Sequence, residues 1–160
     1  MLNRRILFIV ATVAALGGCA TRQAQMSVAD TIAANPSLST LSSLIVKAGL
    51  TPALNGAGPY TVFAPTNDAF KAIPNKTMKA LADDPAMLKE VLAYHVLPTK
   101  VMAADVKNGS AKTVNGASVA LAKAGDFVTV EESMVQTADI AASNGVVHIV
   151  DRVMIPLQKK

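Results

Sequence analysis

The chain has 160 residues, 51% of them apolar and 16% charged, with a formal net charge of +4. That is the length of one domain, with ample apolar material for a single core. One cysteine excludes an internal disulfide, and two histidines beside it leave no His-x-x-x-His or Cys-x-x-Cys spacing for a metal.

Arg4-Arg5 give a basic start, residues 6–16 are apolar, and Leu16-Gly17-Gly18-Cys19 follows. A positive start, a short apolar run and small residues at the cut describe a secretory signal. The run falls short of the ~20 residues that a transmembrane helix needs. Leu-Gly-Gly-Cys is similar to a bacterial lipobox, which makes residues 1–18 a signal peptide and Cys19 the lipidated new N-terminus. More than one acyl chain on that cysteine would satisfy the requirement for stable anchoring. Ala20 stands where an aspartate would favour inner-membrane retention. The expectation is therefore an outer-membrane anchor facing the periplasm, with surface exposure as the alternative. Residues 19–26 read as the lipidated cysteine and a tether reaching about 25 Å at ~3.5 Å per residue. Loss of Arg4 and Arg5 lowers the charge from +4 to +2, and apart from Lys159-Lys160 the lysines are scattered. No stripe for nucleic acid emerges.

Residues 28–34 suit a short helix stopped by Asn35-Pro36. Ser37 can cap the next, where Leu38, Leu41, Leu44, Ile45 and Ala48 follow helical spacing and Gly49 ends the pattern. Residues 55–59 are turn-like, and 60–64 form a short apolar strand. Thr66 or Asn67 can cap a helix carrying Ala69, Phe70 and Ile73. Asn75 can cap a turn with Met78 and Leu81 inward. Asp84-Pro85 is the clearest helix start, and the stripe Met87, Leu88, Val91, Leu92 delivers Tyr94-His95 at its end.

Beyond Val106 the pattern alternates. Asn115-Gly116 between residues 112–114 and 118–121 predicts a tight hairpin. A further strand covers 127–131. The last, 146–154, is apolar on both faces and so belongs at the centre of a sheet. Helices gather in the first half and strands in the second, which is the α+β class.

Three segments carry a family resemblance. They are Thr61-Val-Phe-Ala-Pro-Thr-Asn-Asp-Ala-Phe70, Tyr94-His95-Val96, and Asn144-Gly-Val-Val-His-Ile-Val-Asp-Arg-Val-Met-Ile-Pro156. In this order and spacing they resemble the first box, the central Tyr-His motif and the second box of the fasciclin family. The resemblance implies one fasciclin-like domain over 27–158, a wedge of two β-sheets with helices packed against it. It also implies an adhesion or protein-interaction module.

Within that frame, Tyr94 and His95 match the motif implicated in adhesion by animal members, and Asp139-Ile140 occupy the place of an integrin-contact pair. These four are the partner-binding candidates. Each also has a plainer reading: Tyr94 packing in the core, His95 bonding backbone or protonated at a helix C-terminus, Asp139 capping a loop. Thr66, Asn67 and Asp68 read as capping architecture, and His148, among β-branched neighbours, as a structural histidine. Asp151-Arg152 suggest a local ion pair. With no Gly-x-Ser-x-Gly elbow, phosphate-cradling loop or cofactor motif, no catalysis and no cofactor are expected. The expected partner is an unidentified envelope or host protein or glycan. The alternative is a carrier of an apolar small molecule such as a carotenoid or lipid, for which the seven methionines would supply an adaptable groove.

Overall fold

The computed structural model describes residues 26–156. The expected signal peptide, Cys19 and the tether up to residue 25 lie outside the described residues, as do residues 157–160. Helices dominate the first half: α1 (Val28–Ala34), a 3₁₀ turn (Pro36–Leu38), α2 (Ser39–Lys47), α3 (Thr51–Leu54), α4 (Asn67–Lys71), α5 (Asn75–Asp83) and α6 (Pro85–Tyr94). Strand β1 (Tyr60–Pro65) lies between α3 and α4, and β2 (Val96–Leu97) follows α6. The second half holds β3 (Gly109–Lys112), β4 (Ser118–Ala124), β5 (Phe127–Val130), β6 (Ser133–Ala142) and β7 (Gly145–Val150). The observed class is the α+β expected from the sequence. No helix among the described residues is long and apolar enough to cross a membrane.

The strands bond in the order β2-β1-β7-β6-β5-β4-β3. Among the described residues, only β1 and β7 run parallel. Register shifts along β6 between Val135 and Ile140 separate two sheet segments that share this strand. The result is the expected wedge. Side chains of β1 and β7 alternate between two cores. Val62, Ala64, Val147 and Ile149 face the helices, whereas Phe63 and Val150 face Leu97, Val119, Leu121 and Val130. Strand β7 is buried throughout, as its two apolar faces require. It stops at Val150 rather than Met154 because the chain bends at Asp151-Arg152.

Helix ends follow local chemistry, with some corrections. Asp84 accepts from Ala86 N–H and Met87 N–H at 2.9 and 3.1 Å, as its position before Pro85 predicts. Asn35, not Ser37, caps the 3₁₀ turn by accepting from Ser37 N–H at 3.0 Å. Helix α5 starts after Pro74 with no side-chain cap, so Asn75 does not serve as one.

The Asn115-Gly116 hairpin exists but is wider than a two-residue turn. Thr113 N–H reaches Ala117 O, and Gly116 N–H reaches Thr113 O. Positive φ falls on Gly116 (+90°) and not on Asn115, the pattern of a three-residue loop. Val114 is thereby freed to donate its N–H to Val96 O at 2.8 Å, which ties the hairpin to β2.

Candidate functional site

The first box folds as architecture. Thr66 Oγ1 accepts from Ala69 N–H at 3.2 Å and caps α4. Asn67 does not cap its own helix. Its Oδ1 accepts from Thr40 N–H at 2.9 Å, in the first turn of α2, and its Nδ2 donates to Pro36 O at 2.9 Å. Helix α2 has no cap from its preceding residue, so Asn67 supplies one from a distant part of the chain. Asp68 sits on the surface in an ion pair with Lys71 at 2.8 Å. Replacing Asn67 by alanine is expected to cost about 1.5 kcal/mol, from the lost cap and an unpaired carbonyl. Asp68→Ala is expected to cost under ~0.5 kcal/mol, as exposed pairs do. Urea unfolding of both variants checks the contrast.

The second box begins with a residue to which sequence reasoning gave no role. Asn144 Oδ1 accepts from Val28 N–H at 2.9 Å, at the start of α1. Its Nδ2 donates to Leu54 O and Gly56 O, both at 2.7 Å. Its own carbonyl accepts from Tyr60 N–H at 3.0 Å. The side chain thus joins α1 to the end of α3 and the turn after it, and the backbone of the same residue holds β1. An asparagine before glycine is explained by turn chemistry alone, which hides such long-range bonds. Asn144→Ala is expected to cost about 3 kcal/mol, since three backbone groups lose partners together. A thermal-unfolding comparison with wild type checks it.

His148 stacks on Phe63, with ring centroids 5.6 Å apart. Its Nε2–H donates to Val101 O at 2.8 Å, and its Nδ1 accepts from Asp139 N–H at 3.1 Å. Asp139 is not in a loop. It lies at the irregularity in β6 with φ +58°, and its Oδ1 accepts from Ala103 N–H at 2.8 Å. Together with Thr61, whose Oγ1 donates to Thr99 O and accepts from Val101 N–H, these residues pin residues 99–103 to the sheet. Ile140 is half-buried and packs on the helical core, so Asp139 has no exposed apolar neighbour there.

Tyr94 and His95 lie in the interior, 7% and 2% exposed. The Nδ1–H of His95 donates to Val91 O at 2.7 Å, one turn back along α6, and Nε2 accepts from Met154 N–H at 3.0 Å. Burial pushes its pKa down to about 4. The helix C-terminus therefore does not hold a protonated imidazole here: desolvation outweighs the dipole. The Tyr94 hydroxyl lies 3.3 Å from both Ser118 O and Glu131 Oε1. Burial first, and then the Glu131 carboxylate, push its pKa up.

The Tyr94-His95 and Asp139-Ile140 pairs share no hydrogen bond, and they border different cores. Asp151 makes no ion pair among the described residues. Its carboxylate accepts from Met134 N–H at 2.8 Å and so extends the β6–β7 pairing. All four histidine ring nitrogens bond backbone groups, so neither imidazole serves a serine or threonine as a base. No group of three or more metal-ligating side chains occurs among the described residues. Among the described residues, concave surfaces border these side chains in two places, one of about 400 Å³ beside Thr66, Asn67, Asp68 and Asp151, and one of about 750 Å³ beside Tyr94 and Glu131.

The box residues thus hold a scaffold through caps and buried backbone bonds. The fasciclin domain model matches residues 36–156. This chain belongs to the fasciclin family. Among curated relatives, protein sll1483 of Synechocystis sp. is 38% identical over 139 residues, which are 86% of this chain and 77% of that protein. The transforming growth factor-beta-induced protein ig-h3 of Sus scrofa is 34% identical over 73% of this chain, but the match spans 17% of its own length. In structure the fasciclin domain described here is similar to a FAS1 domain pair from the insect cell adhesion molecule Fasciclin I, with a TM-score of 0.66 and 15% identity. That match covers 82% of this chain and 51% of the pair. At this identity the likeness is one of fold.

Proposed function

We propose that this fasciclin domain is a non-catalytic, lipid-anchored adhesion or protein-interaction module of a bacterial cell envelope. Membership of the family over residues 36–156 carries the reading. The fold it shares with a cell adhesion molecule supports it. So does the internal satisfaction of both histidines, which gives the domain's most reactive side chains structural work. The anchor rests on Leu16-Gly17-Gly18-Cys19. Ala20 after the cysteine supports an outer-membrane position, facing the periplasm or the cell surface.

The exposed carboxylate of Asp139 is the contact candidate that a partner can reach directly, whereas Ile140 supports it from the helical core. Tyr94 and His95 act through the scaffold from the interior. The carrier alternative has thinner support, because Met154 is the one methionine on the wall of the larger pocket.

Crosslinking on intact envelopes of cells making the full chain is expected to recover one specific protein or glycan. Recovery of nothing beyond what an unrelated lipoprotein captures would contradict the interaction reading. Incorporation of labelled palmitate, lost in Cys19→Ala, tests the anchor separately. An unlabelled wild-type chain would remove it.

A further inference from the structure

The larger pocket opens where the end of α6, the β3–β4 loop, the β5–β6 turn and the segment after β7 meet. Its wall brings Glu131, Glu132 and Arg152 together with Tyr94 and the apolar surface of Ile155 and Pro156. Neither carboxylate nor the guanidinium has an ion-pair partner among the described residues. Unpaired charges converging on a concave, partly apolar surface mark a binding site rather than a solvated face.

Glu131 is held in place unusually firmly for an exposed residue. Its backbone is left-handed, φ +55°, a conformation that a non-glycine residue keeps only when its surroundings impose it. Here Ala120 imposes it: Glu131 N–H donates to Ala120 O at 2.8 Å, and Ala120 N–H donates back to Glu131 Oε1 at 2.7 Å. The Tyr94 hydroxyl also reaches Oε1. Oε2 takes no hydrogen bond among the described residues, so a fixed carboxylate offers one whole oxygen. The raised pKa of Tyr94 keeps its hydroxyl protonated, and its lone pair remains available to a donor.

We propose that this pocket binds an alkylammonium group, a primary amine on an apolar chain. Glu131 and Glu132 hold the ammonium while the chain lies along Ile155 and Pro156. An anionic ligand would meet two carboxylates for one guanidinium. A bare divalent cation would leave the apolar wall unused and would feel the repulsion of Arg152. A single ammonium on an apolar chain uses both the charge and the floor, and the volume of about 750 Å³ admits a ligand of that size. The same chemistry comes from a free amine or from a lysine side chain of another protein. The proposal stands independently of the adhesion reading.

Backbone-amide NMR of the detergent-solubilised full chain tests it, with hexylamine, a capped lysine tripeptide and hexanoate as probes. Saturable shifts at Ser118, Glu131 and Ser133 are expected with the two amines and not with hexanoate. Tighter binding of the peptide assigns the site to a protein lysine, and tighter binding of hexylamine to a free amine. The double variant Glu131→Gln, Glu132→Gln keeps an oxygen for Ala120 N–H, and is expected to weaken binding at least tenfold. Arg152→Gln, which removes the opposing charge, is expected to strengthen it several-fold and does not depend on the double variant folding. Absence of saturable shifts, equal shifts with hexanoate, or binding indifferent to these substitutions would overturn the proposal.

Discussion

Gly145→Ala is expected to destabilise the fasciclin domain by about 3 kcal/mol, the upper end of what overpacking usually costs. Gly145 opens β7 and pairs with both Tyr60 on β1 and Ala142 on β6. An added Cβ would collide with the carbonyl of Tyr60 and stand 3.0 Å from Val28 Cγ2. The obstacle is backbone in the middle of the sheet, which cannot swing aside as a side chain can. Relief would require β1 and β7 to part, and their parallel register runs from Tyr60 to Val150. The neighbouring bonds of Asn144 would be disturbed with it. Urea unfolding measures the loss, and a change under ~1 kcal/mol would show that the strands accommodate the methyl group.

Acidification is the second large effect. The folded domain holds His95 at a pKa of about 4, against 6.5 for an unperturbed imidazole. Between these values the unfolded chain binds a proton that the folded one refuses, so stability rises with pH across that window. The contribution is present in full above about pH 6.5 and is lost as pH falls towards 4, amounting to about 3 kcal/mol. Protonation would also turn Nε2 into a donor facing Met154 N–H, breaking the bond that ties the segment after β7 to α6. In His95→Gln the amide can still donate to Val91 O and accept from Met154 N–H. Its stability is expected to fall less between pH 6.5 and 4 than that of wild type. Equal slopes for the two proteins would show that His95 titrates normally.

Legibility in the sequence followed the range of the interactions. Asp84-Pro85 gave the start of α6 because the cap's bonds reach no further than three residues, and the apolar run expected over 146–154 gave a central strand because burial on both faces marks every residue of β7. Strand β6 left no such mark. Its burial alternates irregularly around two register shifts, and Asp139 reads as a loop residue although it bonds residues 103 and 148. Asn67 reads as a local cap and Asn144 has no role in the sequence reading, yet their bonds reach Thr40 and Val28. The protonated reading of His95 failed for a related reason, since the helix dipole is visible in the sequence and the burial that overrides it is not. Glu131 carries no motif, Arg152 stands in the second box where the sequence suggests only a pairing with Asp151, and the fold alone brings the two together.

The exposed surface of an anchored domain, rather than its Tyr-His core, is proposed to make the contact. Capture of a crosslinked partner by the full chain on intact cells tests this most directly, comparing wild type with His95→Gln and Asp139→Ala. A single dominant conjugate is expected in wild type, retained in folded His95→Gln and reduced at least tenfold in Asp139→Ala. A conjugate lost in folded His95→Gln but kept in Asp139→Ala, or none beyond that of an unrelated lipoprotein, would contradict it.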